Sequence, residues 1–362
     1  MNTTLLHIKQ FRCFTDFVLS CNAHTLIIIG DNGTGKTSLL EALHYMCYLR
    51  SFRTYTPKEL VQFDQDNFFI KLCVTDQEAV TNELQVGFSQ KKRLVKINHT
   101  PVSSYKELID CYRVVTVTED DIELIKGSPE YRRTFIDQAL FLVDEIYIQL
   151  LKQYKHILEN RNALLQQTYV DAEMYAVWTE QLFMMSQQIA HKRIAWLALI
   201  EKEVALLLQT YIDQDMTISI TYQSKLHAHA VPYDTFMADN RLLCEQEKRF
   251  KRTLFGVHLD DILFQFQGKK SRMYASRGQQ KLIVLLIKIA QIQSMKSYKG
   301  ALLFLLDDFM TDFDNQRIMQ LWTLLEQLDC QKICTVPNKG FFIDYVLKTD
   351  KAQLLNLTDS NL

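Results

Sequence analysis

The 362-residue chain has little glycine and proline, ten and five residues, which excludes a collagen-like or linker-rich protein. It lacks a charge excess: 41 basic against 42 acidic residues give a formal net charge of −1. The molecule as a whole is therefore no general polyanion binder, and any nucleic-acid surface must be local. No stretch approaches the ~20 apolar residues that a membrane-spanning helix requires. The opening MNTTLLHIKQFRCF alternates like a strand and carries no apolar signal core. Eight cysteines are scattered without a CxxC pair, Cys330 and Cys334 being the closest. That usage indicates neither a zinc site nor a disulfide scaffold and fits reduced thiols in a cytosol. Internal repeats and low-complexity segments are also missing.

Three of the scarce glycines fall together in TLIIIGDNGTGKTSLL, residues 25–40. Thr25 to Ile29 is the β-branched apolar run of a buried parallel strand. Gly30, Gly33 and Gly35 let the backbone turn tightly and aim its N–H groups at an anion. A helix follows from Lys36, so its positive dipole end points at the same spot. The spacing predicts a phosphate-binding loop made of Gly30, Asp31, Asn32, Gly33, Thr34, Gly35, Lys36 and Thr37. Lys36 would reach the β- and γ-phosphates, and the Thr37 hydroxyl would ligate magnesium.

Two further motifs lie far down the chain. In ASRGQQKLIVLLIKIAQ, residues 275–291, Ser276 and Gln279 form a capping-box pattern ahead of a nearly all-apolar, buried helix. Gly278 is a poor helix former in that first turn, which makes sense if the backbone must approach something closely. Such a turn offers hydroxyl and N–H donors to an anion. In ALLFLLDDF, residues 301–309, a buried strand ends in two aspartates. Paired acids there are costly unless a cation or a proton transfer requires them. Asp307 fits a magnesium ligand, and Asp308 the base that orients and deprotonates an attacking water.

Between the motifs the pattern divides into three stretches. Residues 1–125 form a strand-rich N-terminal part, including a hairpin in ELQVGFSQKKRLVKI, where Val86 and Phe88 alternate on one strand and Val95 and Ile97 on the other. Residues 126–250 are mainly helical. One helix carries Tyr147, Leu150, Tyr154, Ile157 and Leu164; another, over 175–211, would span roughly 55 Å at 1.5 Å per residue. Residues 251–362 return to strands and helices. Ser128 and Pro129 open a helix whose first turn holds Arg132 and Arg133. Cations there oppose the dipole, so an anion should offset them: Asp120, Asp121 or an external phosphate. Most basic clusters are solvated faces. Arg132, Arg133, Lys91, Lys92, Arg93, Lys269 and Lys270 are the candidate nucleic-acid contacts.

Loop, signature turn and acidic strand in this order resemble an ABC-type ATPase head, an α/β P-loop fold carrying here an inserted, mainly helical lobe. The interval from Lys36 to Ser276 is too long for a transporter subunit and too short for an SMC or Rad50 protein. The chain resembles the bacterial RecF family in HIKQFRCF, GDNGTGKTSLLEALHYM, SFR at 51–53 and IELIKGSPEYRRTFID at 122–137. LENRNALL, RTLFGVHLDDILF, SRGQQKLIVLLIKIAQ and LLFLLDDF extend that likeness over nearly the whole chain. It departs at Val257 and Leu259, where the family has proline and arginine, and in VTEDD, which lacks the family's proline. In ICTVPNK, Thr335 keeps one of a threonine pair and Pro337 replaces the other.

The resemblance implies a cytoplasmic, DNA-binding ATPase with ATP and magnesium as cofactors. It also implies a homodimer formed on ATP, in which Ser276, Gly278 and Gln279 of one copy complete the nucleotide held by another. RecR and RecO would be partners, and RecA would be directed to gapped DNA at single-strand/double-strand boundaries. Hydrolysis should be weak and DNA-stimulated, a switch rather than a motor. Three rivals remain. A GTPase is disfavoured because Phe341 stands where the guanine-reading aspartate of NKxD belongs. A small-molecule kinase gives the signature turn no role. An SMC-like structural ATPase shares every nucleotide motif.

Overall fold

The structure, a computed structural model, describes residues 2–21, 23–75, 78–90, 92–102, 104–225, 231–295, 297–298, 300–336, 343, 345–346 and 352–358. Lys91, Pro337 and Phe341 lie outside the described residues. The chain divides into two compact units, residues 1–121 with 291–362, and residues 122–290.

The first unit begins with β1 (Asn2–Phe11), β2 (Phe14–Ser20), β3 (Thr25–Ile29) and α1 (Lys36–Tyr48). Then come β4 (Asn67–Thr75), β5 (Thr81–Ser89), β6 (Lys92–Ile97), β7 (Thr100–Pro101), α2 (Tyr105–Cys111) and β8 (Tyr112–Val117). The second unit holds α3 (Glu123–Lys126), α4 (Pro129–Val143), α5 (Tyr147–Leu165) and α6 (Ala172–Leu207). It continues through β9 (Ile218–Gln223), α7 (Tyr233–Asp239), α8 (Leu243–Phe250), β10 (Asp261–Phe266), β11 (Lys269–Lys270) and α9 (Ser271–Tyr274). Within α10 (Arg277–Gln293) the chain passes back to the first unit, which ends with β12 (Ala301–Leu306), α11 (Asn315–Glu326), β13 (Gln331–Val336) and β14 (Ala352–Asn356).

Two sheets build the first unit. One is antiparallel, in the order β2-β1-β4-β5-β6-β7; the other is parallel, in the order β14-β3-β13-β12-β8. The expected hairpin forms, with Val86 opposite Val95 and Leu84 opposite Ile97. Helix α1 packs against strands of both sheets. This explains why residues all round it are buried, instead of one stripe. Phe11, Tyr45, Phe68 and Phe88 join it to the antiparallel sheet, with successive ring centroids 5.3–6.5 Å apart. Gln331, fully buried on β13, accepts from the Thr3 N–H at 2.7 Å and donates to the Ala23 carbonyl at 3.0 Å, stitching β1 to the parallel sheet.

In the second unit α5 and α6 pack along each other. Of the α5 stripe only Ile157 is half-buried rather than buried; on α6 Leu182, Ile189, Trp196, Ile200 and Leu207 are buried, while Trp178 and Met185 are half-buried. Helix α6 ends in a π-helical turn, Leu208–Ile212. Its core is polar as well as apolar. The guanidinium of Arg161 is fully buried against the fully buried carboxylate of Glu247. Arg193, also buried, donates to both oxygens of Asp137 and to the Val257 carbonyl at 2.9 Å. Among the described residues, no helix is long and apolar enough to cross a membrane.

Candidate functional site

Parallel strands leave their functional loops at one edge, beyond their carboxyl ends. Strands β3 and β12 flank β13, so the loops after Ile29 and Leu306 open on either side of Thr335. In the first loop Gly33 and Gly35 adopt φ of 92° and 87°, a region that L side chains rarely occupy. A Cβ on Gly30 would come within 2.5 Å of Thr34 Oγ1 and 2.7 Å of the Leu357 carbonyl, so only glycine fits there. Asp31, Asn32 and Gly33 form an exposed tip, whereas Thr34 and Lys36 are buried. Lys36 Nζ donates to the Gly30 carbonyl at 2.8 Å and to the Asp31 carbonyl at 3.1 Å. Helix α1 has no side-chain cap and no acid in its first turn, leaving its N–H groups and dipole to an anion.

The acids come next. Thr37 Oγ1 donates to Asp307 Oδ1 at 3.1 Å, across 270 residues of sequence. Thr335 Oγ1 gives its proton to Asp307 Oδ1 at 2.8 Å and accepts the Asp308 N–H at 2.8 Å. One hydroxyl thus orients both aspartates. Asp308 itself sits in the left-handed region, with φ 42° and ψ 30°. A non-glycine residue held there is strained, and such strain clusters at functional sites.

Burial pushes the Asp307 carboxyl above its ordinary range. Hydrogen bonds from Thr335 and Thr37 pull it back, the charge of Asp308 raises it again, and Arg53 lowers it. Thr37 and Asp307 present two hard oxygens of the kind magnesium prefers. Among the described residues no group of three His, Cys, Asp or Glu could hold a metal alone, so phosphate and water would complete the shell. A raised folded pKa means that stability is lost as pH climbs from the unfolded value through the folded one. Asp307→Asn is therefore expected to melt higher than the parent at neutral pH without metal, the gap closing as pH falls towards 4. Equal melting temperatures at neutral pH would remove the burial argument.

The second corner lies in the second unit. Ser276 is exposed at the start of α10; its N–H donates to Gln279 Oε1 at 2.8 Å, and Gln279 N–H donates to Ser276 Oγ at 3.3 Å. The expected capping box therefore exists, with Gly278 half-buried inside it. Asp307, Asp308 and the glycine loop meet in the first unit; Ser276, Gly278 and Gln279 belong to the other.

The anion offsetting Arg132 is internal. It is Asp261, at 2.6 and 3.0 Å, with a further bond to the Gly127 carbonyl at 2.9 Å. Neither Asp120 nor Asp121 serves, and Asp121 instead accepts from the Thr118 N–H and hydroxyl. Arg132 is only 5 % exposed, so a nucleic-acid contact by it is excluded. Arg133 is half-buried and donates to the Asp260 carbonyl at 2.7 Å. Arg93 donates to the Leu49 carbonyl at 2.6 Å. Lys92, Lys269 and Lys270 are exposed.

Sequence reasoning missed Glu41, fully buried one turn beyond Thr37. Arg12 grips it at 2.7 and 2.8 Å, the Ser51 hydroxyl donates to it, and Arg53 stands 3.7 Å away. This fastens the segments FRCF and SFR to the loop helix. The signal was an acid standing among apolar residues in SLLEALHYM.

A parallel sheet bearing the glycine loop, an antiparallel sheet across its helix and a helical second unit define the fold of an ABC-type ATPase head. The RecF/RecN/SMC N-terminal domain matches residues 3–349. The chain is 32% identical to the DNA replication and repair protein RecF of Enterococcus faecalis over 335 residues, 89% of this chain and 88% of that protein. It belongs to the RecF family. Among solved structures, the recombination mediator protein RecF with ATP, in the RecFOR pathway, matches with a TM-score of 0.81 and 25% identity, covering 94% of this chain and 92% of that one. The Smc head domain of Pyrococcus furiosus matches with a TM-score of 0.55 and 13% identity, over 99% of this chain and 94% of that one, a likeness of fold alone.

Proposed function

We propose that this chain is a cytoplasmic, ATP-dependent, DNA-binding recombination mediator of DNA replication and repair. The observation that carries this reading is the corner where Lys36, Thr37, Asp307, Asp308 and Thr335 meet. Family membership and the relatives' names support the rest: a solved relative is an ATP complex of a recombination mediator. Magnesium-bound ATP would supply the phosphoanhydride bond that water cleaves. Lys36 and the first-turn N–H groups of α1 would hold its phosphates, and Thr37 with Asp307 would hold the magnesium ion, which would neutralise phosphate charge. Asp308 orients the water and takes its proton. Aspartate is one methylene shorter than glutamate, so the base stands back and turnover is slow, as suits a switch.

Ser276, Gly278 and Gln279 of a second copy complete the γ-phosphate site, so ATP pairs two chains head to tail on DNA. RecO and RecR act with the pair, and RecA is loaded at boundaries of gapped DNA. An SMC-like tethering role is the poorer reading, because α6 has 36 residues, roughly 54 Å at 1.5 Å per residue, and α5 only 19.

Sedimentation with and without magnesium and ATP tests the pairing. The parent is expected to dimerise on ATP, and Ser276→Arg to stay monomeric while still binding ATP. A parent that stays monomeric at saturating ATP sinks the reading. Thr335→Val keeps shape but removes the hydroxyl shared by both acids. Turnover should fall by about 10- to 100-fold, with ATP affinity little changed. Unaltered turnover would show that Thr335 does not position them.

A further inference from the structure

We propose that Gln280 is the positioning residue of the serine–glycine corner. Its side chain fixes the angle at which Ser276 and the N-terminus of α10 are presented to a nucleotide held by a second copy. The proposal rests on the pairing described above, and its test separates the two.

Gln280 is 3% exposed and stands among Leu282, Ile283, Leu285 and Leu286, all buried. In so apolar a helix, packing alone would be served by leucine or methionine. Instead its Nε2 donates to the Ala275 carbonyl at 2.9 Å and to the Ser271 carbonyl at 3.3 Å. The Ser271 carbonyl opens α9, a single turn, and also accepts the Ala275 N–H at 3.2 Å; the Ala275 carbonyl lies just past its last residue. Gln280 thus caps α9 from inside the next helix, and its own N–H bonds the Ser276 carbonyl at 2.9 Å. The two-residue corner Ala275–Ser276 is held from both sides.

The amide also acts electrostatically. The Ala275 carbonyl adjoins Ser276, and an uncapped carbonyl there would repel the anion that Ser276 is to meet. Donation from Gln280 removes that partial charge from the approach. The clamp is not optimal for folding, since Gln280 Oε1 and the fully buried Ser271 Oγ both lack a partner. Buried polar atoms without partners oppose folding. A side chain that leaves such atoms in place serves something other than stability.

The test compares full-length parent, Gln280→Met and Ser271→Ala. Gln280→Met is expected to melt at or above the parent temperature and to bind ATP with affinity within about twofold. It should need at least about tenfold more ATP or protein to dimerise, the counterpart of one lost hydrogen bond. Ser271→Ala removes only an unpartnered hydroxyl and should pair like the parent. A second readout needs no dimer: amide exchange of residues 275–277 in nucleotide-free protein should quicken about tenfold in Gln280→Met, that of the later turns of α10 remaining unchanged. Unaltered exchange and pairing overturn the proposal, as does a lowered melting temperature that accounts for the lost pairing. A parent that fails to dimerise while exchange still responds overturns the pairing and leaves the clamp.

Discussion

Arg161→Ala is expected to destabilise the second unit by about 3–5 kcal/mol, the penalty of leaving a buried charge without its partner. Every guanidinium N–H has an acceptor: Glu247 Oε1 at 3.0 Å and Oε2 at 2.5 Å, Thr253 Oγ1 at 2.9 Å, and Thr179 Oγ1 at 3.1 and 3.3 Å. The rings of Tyr175 and Phe255 lie 4.8 and 5.1 Å from its centre. Glu247 also accepts from the Tyr175 hydroxyl at 2.6 Å and the Leu254 N–H at 2.8 Å. Removing the cation strands a carboxylate that is 0% exposed. Replacing both partners together by leucine should cost less than either single change, because no lone charge is then buried. Denaturant unfolding followed by tryptophan emission in a Trp322→Phe background reports on this unit, which holds Trp178 and Trp196, whereas Trp322 lies in the first unit. A loss below about 1 kcal/mol for Arg161→Ala would place the pair with exposed ion pairs and refute the network.

Lys36→Ala is expected to weaken ATP binding by about 10²- to 10⁴-fold, as two charge-assisted hydrogen bonds of ~1.5–3 kcal/mol each disappear. The lysine is buried and pinned by the loop carbonyls of Gly30 and Asp31, so its ammonium is already directed into the loop. Arginine cannot restore it, since a planar fork does not fit where a compact ammonium is enclosed. Dimerisation should vanish with binding, unlike in Ser276→Arg, which binds but does not close. Titration with a fluorescent ATP analogue decides the matter; an affinity within about threefold of the parent contradicts the assignment.

The motifs legible in the chain were those whose physics is local. A strand, three glycines, a lysine and a helix define an anion loop within 16 residues. Ser276 and Gln279 cap their own helix, and their spacing alone foretold it. The hairpin followed from alternation, while its register, Val86 opposite Val95, came from the structure. Tertiary partners were not legible. Arg132 called for an anion, but its own neighbourhood offered Asp120 and Asp121. The partner is Asp261, 129 residues on, brought there because α4 packs on β10. Glu41 gave only the hint of an acid in an apolar helix, and Arg12 and Ser51 reach it from two other segments.

The sequence by itself determined that this is a nucleotide-loop protein with a capped signature turn and an acidic strand end, because backbone conformation, capping and strand patterning act over a few residues. Only the tertiary structure decided which of its charged side chains are internal. It also decided that Thr335 would join Asp307 to Asp308, since strand order in a parallel sheet sets three distant segments side by side. Burial then supplies the low dielectric in which one hydroxyl can hold the Asp307 carboxylate and the Asp308 N–H together.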